Sequence, residues 1–332
     1  MSMDPNNQLE SKYILVTGGA GFIGSNLCEY LVSSGAKVRC LDDFSTGHKS
    51  NIERLLENKD FELIEGDICD AKTCSDAVQG IDYVLHQAAL GSVPRSIKNP
   101  IRTNEVNIGG FLNMLTACKN EGVKRFIYAA SSSTYGDSDG LPKIEHIIGN
   151  PLSPYAVTKR VNELYAHVFK LCYDFDTIGL RYFNVFGQFQ DPEGAYAAVI
   201  PKFISQLIKY ESPTINGDGS YSRDFTYIKN VIEANVLAIL TEDEMALNQI
   251  YNVAASKQTT LLELFKLLKD ELNQHDSKIG DVEIKLGPTR EGDIPHSLAS
   301  IDKARELLGY DPKYNIDDGL KEAIPWYFNN LN

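Results

Sequence analysis

Tyr155 and Lys159 stand four residues apart in Ser153-Pro154-Tyr155-Ala156-Val157-Thr158-Lys159, a spacing that puts a phenol and an ammonium on one face of a helix. Ser153 and Pro154 read as the start of that helix, a hydroxyl cap followed by a proline in the first turn. A free phenol ionises near pH 10, so a phenolate usable near neutrality has to be stabilised by about 4 kcal/mol. A lysine cation about 6 Å away supplies about 3 kcal/mol at an effective dielectric of 20, and a further positive charge nearby would supply the rest. The pair can therefore take a proton from a hydroxyl, with Tyr155 as general base and Lys159 as its electrostatic support. An ordinary amphipathic helix can carry the same pair, so its surroundings decide the reading.

Those surroundings include Thr17-Gly18-Gly19-Ala20-Gly21-Phe22-Ile23-Gly24, which follows a short apolar run and opens a helical one. Gly18, Gly21 and Gly24 let the backbone turn tightly and approach a pyrophosphate, whose charge then sits at the helix start near Phe22 and Ile23. Asp42 lies eighteen residues after Gly24, at the end of the next apolar run, where a carboxylate can accept both ribose hydroxyls of an adenosine. The same carboxylate repels a 2'-phosphate, which favours NAD over NADP. Asp67 and Ile68 after the third run could cap the adenine, and Gln87, Ala88 and Ala89 after the fourth could lie beside the cofactor. Both sets are also what a plain strand end looks like. Tyr182, closing a later run, joins Tyr155 and Lys159 in the set expected at the cofactor.

The elements that must position these residues alternate. Apolar β-rich runs at 13–17, 37–41, 61–65, 83–87, 125–130 and 177–182 alternate with helical patterns at 22–34, 71–79, 101–121 and 154–173. This predicts an α/β fold with a doubly wound parallel (Rossmann) sheet, whose strand ends are where ligands bind. After Asn184 the rhythm loosens, with helices expected near 198–210, 230–240, 261–272, 302–308 and 316–328. The expected organisation is a polar tail over 1–12, a dinucleotide-binding domain over 13–184 and a smaller substrate-binding region over 185–332. The boundary is soft, with the chain crossing back between the two.

At 332 residues the chain can bury a large core. Its net charge of −13 excludes a broad phosphate-backbone interaction, so no nucleic-acid partner is expected. An anionic small substrate would have to be held by a few local cations and by helix N-termini. The six cysteines show no Cys-x-x-Cys pairing and lie in apolar contexts, which predicts reduced, buried thiols and no metal site. No basic start precedes a hydrophobic stretch, and nowhere do about 18 apolar residues run together. No membrane association is expected, and the cytoplasm is the expected location.

With the glycine turn, the Ser131 strand end and Tyr-x-x-x-Lys in one chain, the sequence resembles the extended short-chain dehydrogenase/reductases. More narrowly it is similar to the UDP-N-acetylglucosamine 4-epimerases of bacterial polysaccharide pathways. That likeness rests on HQAALGSVPRS over 86–96, AASSSTYGD over 129–137, LSPYAVTK over 152–159, GLRYFNVFG over 179–187 and SRDF over 222–225, and it runs from about residue 12 to the C-terminus. The resemblance implies that Ser131 hydrogen-bonds the reacting sugar oxygen beside Tyr155 and Lys159. Relatives that dehydrate sugars place Asp-Glu where this chain has Ser132-Ser133, so the resemblance implies epimerisation. In such enzymes the 4-hydroxyl gives its proton to the tyrosine and C4 its hydride to NAD. The 4-keto sugar then turns over and takes the hydride back on its other face.

The resemblance further implies that Ser132, Ser133, Asn184, Ala198, Val199, Lys202, Asn216, Arg223, Arg290 and Asp293 contact the nucleotide, diphosphate or sugar of a UDP-sugar. Arg223 beside Asp224 and Arg290 beside Glu291 are equally readable as surface ion pairs. Gly91, Ser92, Ala198 and Ser297 match walls of the pocket for the sugar 2-substituent, and small residues there imply room for an N-acetyl group. Relatives also pair their two long helices, here 101–121 and 154–173, into a four-helix homodimer interface.

Overall fold

The computed structural model describes residues 8–192, 197–289 and 294–331. Each apolar run of the first half becomes a strand, because alternate side chains find an apolar layer on both sides. In β1 (Tyr13–Thr17), Ile14 and Val16 join the core on one face while Leu15 joins the core on the other. The remaining strands are β2 (Lys37–Asp42), β3 (Phe61–Glu65), β4 (Tyr83–His86), β5 (Arg125–Ser131), β6 (Thr177–Tyr182) and β7 (Gln249–Val253). All pair in parallel in the order β7-β6-β5-β4-β1-β2-β3. The order reverses between β1 and β4, which opens a crevice at the carboxyl ends of the strands.

Helices cover both faces. They are α1 (Phe22–Ser33), α2 (Ala71–Ala77), α3 (Phe111–Glu121), α4 (Pro154–Tyr173), α5 (Val199–Ile208), α6 (Ile228–Leu240), α7 (Leu261–Asn273), α8 (Asp302–Leu308) and α9 (Ile316–Leu331). The sequence reads 101–121 as one helix, but the structure divides it. Pro100–Asn104 and α3 are separated by a wide turn at Glu105–Gly110 whose hydrogen bonds skip one residue more than an α-helix allows. Gly110 packs against Ile68, where a Cβ would come within 2.6 Å of the Ile68 side chain. The widened backbone turns Asn107 toward the crevice, where its Oδ1 accepts the Leu90 N–H at 2.8 Å and its main-chain oxygen accepts Asn162 Nδ2 at 2.7 Å.

Beyond Asn184 the chain builds three two-stranded ladders. Val185–Phe186 pairs with Thr226–Tyr227, Thr214–Asn216 with Lys285–Gly287, and Ser222–Asp224 with Gln258–Thr260. It returns to the main sheet through α6 and β7, a strand absent from the sequence reading. Within the polar opening stretch, Leu9 is fully buried in the core. The expectation of uniformly buried thiols is corrected at Cys172, which is exposed on α4, and at Cys69, which is partly exposed; the other cysteines are buried, and none is in a disulfide. No helix among the described residues is long and apolar enough to cross a membrane.

Candidate active site

The crevice is a cavity of about 520 Å³ running from the glycine turn after β1 to the ends of β5 and β6. Gly18, with a left-handed φ of +67°, lies so close to β4 that a Cβ would meet the Ala88 nitrogen at 2.7 Å. A Cβ on Gly24 would meet the Gly18 oxygen at 2.1 Å. Only glycine fits at either place, and the first turn of α1 is thereby drawn to the floor of the cavity. Asp42 is buried at the end of β2, its carboxylate accepting the N–H groups of Ala20 and Phe44, each at 2.8 Å. Burial raises its carboxyl above the usual range and those two N–H groups pull it back. A carboxylate has about four acceptor sites, so the ribose hydroxyls can still be met. Asp67 is held by the Cys69 N–H at 2.8 Å and the Arg102 guanidinium at 3.0 Å; burial tends to raise it, but these bonds bring it below its ordinary value.

At the other end, Ser131 closes β5 beside the Tyr155 hydroxyl, near enough to ease its ionisation. Ser133 donates to the same Ser131 Oγ through its hydroxyl at 2.9 Å and its N–H at 3.2 Å. The Lys159 ammonium lies 6.0 Å from the Tyr155 ring centre and donates to the Ala129 carbonyl at 2.8 Å. Electrostatics departs here from the expectation drawn from spacing alone. Burial pushes the phenol up, with Ser131 pulling it back, and burial lowers the lysine to about 8. Burial therefore dominates at the phenol, and an oxidised nicotinamide would bring a further positive charge beside it.

Side chains outside the cavity hold this geometry. Ser153 caps α4 by accepting the Ala156 N–H at 3.1 Å, and Ser96 Oγ accepts the Tyr155 N–H at 3.1 Å. Glu163, one turn beyond Lys159, receives Arg181 from β6 at 2.7 and 2.9 Å, a pair with both side chains 1% exposed. His86, at the end of β4, bonds Thr17 Oγ1 at 2.8 Å and is held neutral by burial, pushed down to about 3.

Gly18, Gly21, Phe22, Ile23, Gly24, Asp42, Asp67, Ile68, Gln87, Ala88, Ala89, Ser131, Tyr155, Lys159 and Tyr182 all line the one cavity, with Gly91, Ser132, Asn184 and Ala198 from the substrate set. Ser92, Ser133, Val199, Lys202, Asn216, Arg223 and Ser297 do not reach its wall. Ser92 instead caps a short helix at Arg95, Lys202 is exposed on α5, and Asn216 ends a two-stranded ladder. Arg223 donates to the Ser222 and Pro295 carbonyls at 2.9 and 3.1 Å, and the Ser297 N–H to the Ser222 carbonyl at 3.1 Å. Arg290 and Asp293 lie outside the described residues. Sequence reasoning missed Asp43, Ser45, Thr46 and Gly47 in the loop after β2, and Gln190, all on the wall. A glycine five residues after the ribose-side acid was the available signal: a Cβ on Gly47 would meet the Ala20 carbonyl carbon at 2.9 Å.

A dinucleotide fits this site on the chain's own terms: a cradle only glycine can form, an acid at the far end, and a buried Gln87 Oε1 on the wall without a protein partner among the described residues. Fold and site together define a dinucleotide-binding protein whose cavity brings a serine, a tyrosine and a lysine together at the end of β5. Residues 14–254 match the model of the NAD dependent epimerase/dehydratase family, and the chain belongs to that family. It is similar to a putative UDP-glucose 4-epimerase of Methanocaldococcus jannaschii, 36% identical over 96% of this chain and 99% of the relative. Among solved structures it resembles the UDP-N-acetylglucosamine 4-epimerase of Methanobrevibacter ruminantium M1 in complex with UDP-N-acetylmuramic acid, at 38% identity, TM-score 0.89, and 96% and 99% coverage of the two chains. It also resembles the UDP-glucuronic acid 4-epimerase of Bacillus cereus in complex with UDP-glucuronic acid and NAD, at 33% identity, TM-score 0.86, and 96% and 99% coverage. The chain is an NAD-dependent enzyme of the epimerase class.

Proposed function

We propose that this enzyme interconverts UDP-N-acetylglucosamine and UDP-N-acetylgalactosamine by inversion at C4, with plain UDP-hexoses and UDP-uronates as further substrates. The observation that carries the reading is the end of the cavity at β5, where Ser131, beside Tyr155, lies among Gly91, Ser132 and Ala198. Small side chains leave space for a 2-acetamido group. Ser133, where an elimination enzyme needs an acid, spends its hydroxyl on Ser131.

Ser131 holds the 4-oxygen, Tyr155 takes its proton, and Lys159 keeps positive charge beside the phenol. Bound NAD supplies a reversible hydride acceptor for C4. After the 4-keto sugar turns over on its diphosphate, C4 would take the hydride back on its opposite face while Tyr155 returns the proton to the 4-oxygen. No net redox change follows, so NAD stays bound through many turnovers. The purified protein, given UDP-N-acetylglucosamine and UDP-glucose side by side, should convert the first at least as fast as the second, read by chromatographic separation of the epimers. A preference for UDP-glucose would refute the substrate assignment. Steady accumulation of NADH would instead identify a net oxidoreductase or decarboxylase on the same scaffold.

A homodimer is part of this reading. Val157, Leu164, Val168 and Leu171 form one exposed apolar stripe along α4, and Ile97 and Ile101 are exposed on the short helices before α3. A second copy of the chain laid on these helices would cover it. Sedimentation at micromolar concentration should give twice the chain mass, and a monomer would refute the assembly.

A further inference from the structure

Asn235, on α6, is 0% exposed and belongs to none of the sets described above, yet it bonds two side chains of the cavity wall. Its Nδ2 donates to the Val231 carbonyl, one turn back, at 2.8 Å, and to the Tyr182 hydroxyl at 2.9 Å. The first contact settles which end of the amide is which, because a carbonyl oxygen can face only a donor. Oδ1 is therefore an acceptor, and Gln87 Nε2 donates to it at 3.4 Å from 148 residues away. The second amide is oriented in turn. Its nitrogen faces inward, and its Oε1, buried at the cavity wall, has no partner among the described residues. An orphaned buried acceptor is costly and native folds rarely keep one without something to meet it.

We infer that Asn235 is a positioning residue for the cofactor. Through one amide it orients Gln87, whose Oε1 then accepts a hydroxyl or carboxamide N–H of bound NAD, and it holds the Tyr182 ring as the adjoining wall. The network acts on retention of NAD between turnovers rather than on the proton transfer, since neither amide touches Ser131, Tyr155 or Lys159 in the described contacts.

NAD-stripped protein titrated calorimetrically with NAD reads this directly. Asn235→Leu and Gln87→Leu should each raise the Kd for NAD about tenfold, the weight of one buried hydrogen bond. The double variant should bind within about twofold of either single one, because both changes remove the same acceptor. A merely structural role would lower Tm while leaving the Kd of NAD unchanged. An unchanged Kd in Asn235→Leu, or losses that multiply in the double variant, would overturn the inference. If Asn235→Leu fails to fold, Gln87→Leu, altered only at the cavity side, reads the same quantity, and an unchanged Kd there overturns it equally.

Discussion

Replacing Arg181 by methionine tests whether the buried pair behind the site holds α4 on the sheet. Its guanidinium meets both oxygens of Glu163, donates a third bond to the Glu145 carbonyl at 2.9 Å and lies 4.8 Å from the Tyr135 ring. Removing one partner of such a pair leaves a buried carboxylate and costs about 3–5 kcal/mol. Arg160, at 2.8 Å from Glu163 Oε2 and 34% exposed, would still neutralise part of the charge, so the expected cost lies near the lower end, about 3 kcal/mol. Pairing Arg181→Met with Glu163→Leu removes the stranded charge and should recover at least half of that loss. Urea denaturation of NAD-free protein at pH 7, followed by circular dichroism, measures both variants. The double variant should also regain turnover, because Glu163 lies one turn beyond Lys159 on α4. A loss below about 1 kcal/mol in Arg181→Met, or a double variant no more stable than the single one, would refute this reasoning.

Tyr155→Phe should bind NAD as the parent does while turnover falls about 10²–10⁴-fold; epimerisation at the original rate would overturn the assigned base. Lys159 is 4% exposed and lowered by burial from 10.5 to about 8, so between those pH values the unfolded chain holds a proton the folded one has released. Stability from this group therefore rises with pH across that window, and the cost of burying the cation is borne below pH 8. Lys159→Met, stripped of NAD, should be inactive yet more stable than the parent at pH 7 by about 2 kcal/mol, with the gap closing toward pH 10. A less stable variant at pH 7 would contradict it. Gly18→Ala should weaken NAD binding at least about tenfold in calorimetry, from left-handed strain and the clash with β4. Gly122→Ala, at φ +76° with nothing within 4 Å of a Cβ, should leave NAD affinity unchanged and serve as the control for strain alone.

The features legible in the sequence are those local to it. The glycine turn, the acid after β2 and the Tyr155–Lys159 spacing each lie within one element or one connection, where residue type and interval determine geometry. β7 was not readable because Gln249–Val253 becomes a strand by pairing with β6, about 70 residues earlier in the chain, and not by any alternation of its own. The break at Glu105–Gly110 escaped because its apolar spacing is helical; the reason to widen the turn is the demand of Leu90 and Asn162 for Asn107. The loop holding Asp43 to Gly47 reads as polar surface, since what draws it inward is the Ala20 backbone on another turn. Charge balance at Tyr155 and Lys159 depends on depth of burial, a quantity that spacing does not contain. Cys172 sits in an apolar stretch, but that stretch is the outer face of α4.

Asp42 carries a further consequence. The carboxylate that would receive the adenosine ribose is also the clasp that fastens the Ala20 turn to the Phe44 turn. Swapping it for a neutral or basic side chain to admit a phosphorylated ribose would untie both turns at once. Cofactor choice governed by Asp42 would thus be tied to the shape of the turn at Ala20, and redesigning one would mean rebuilding the other.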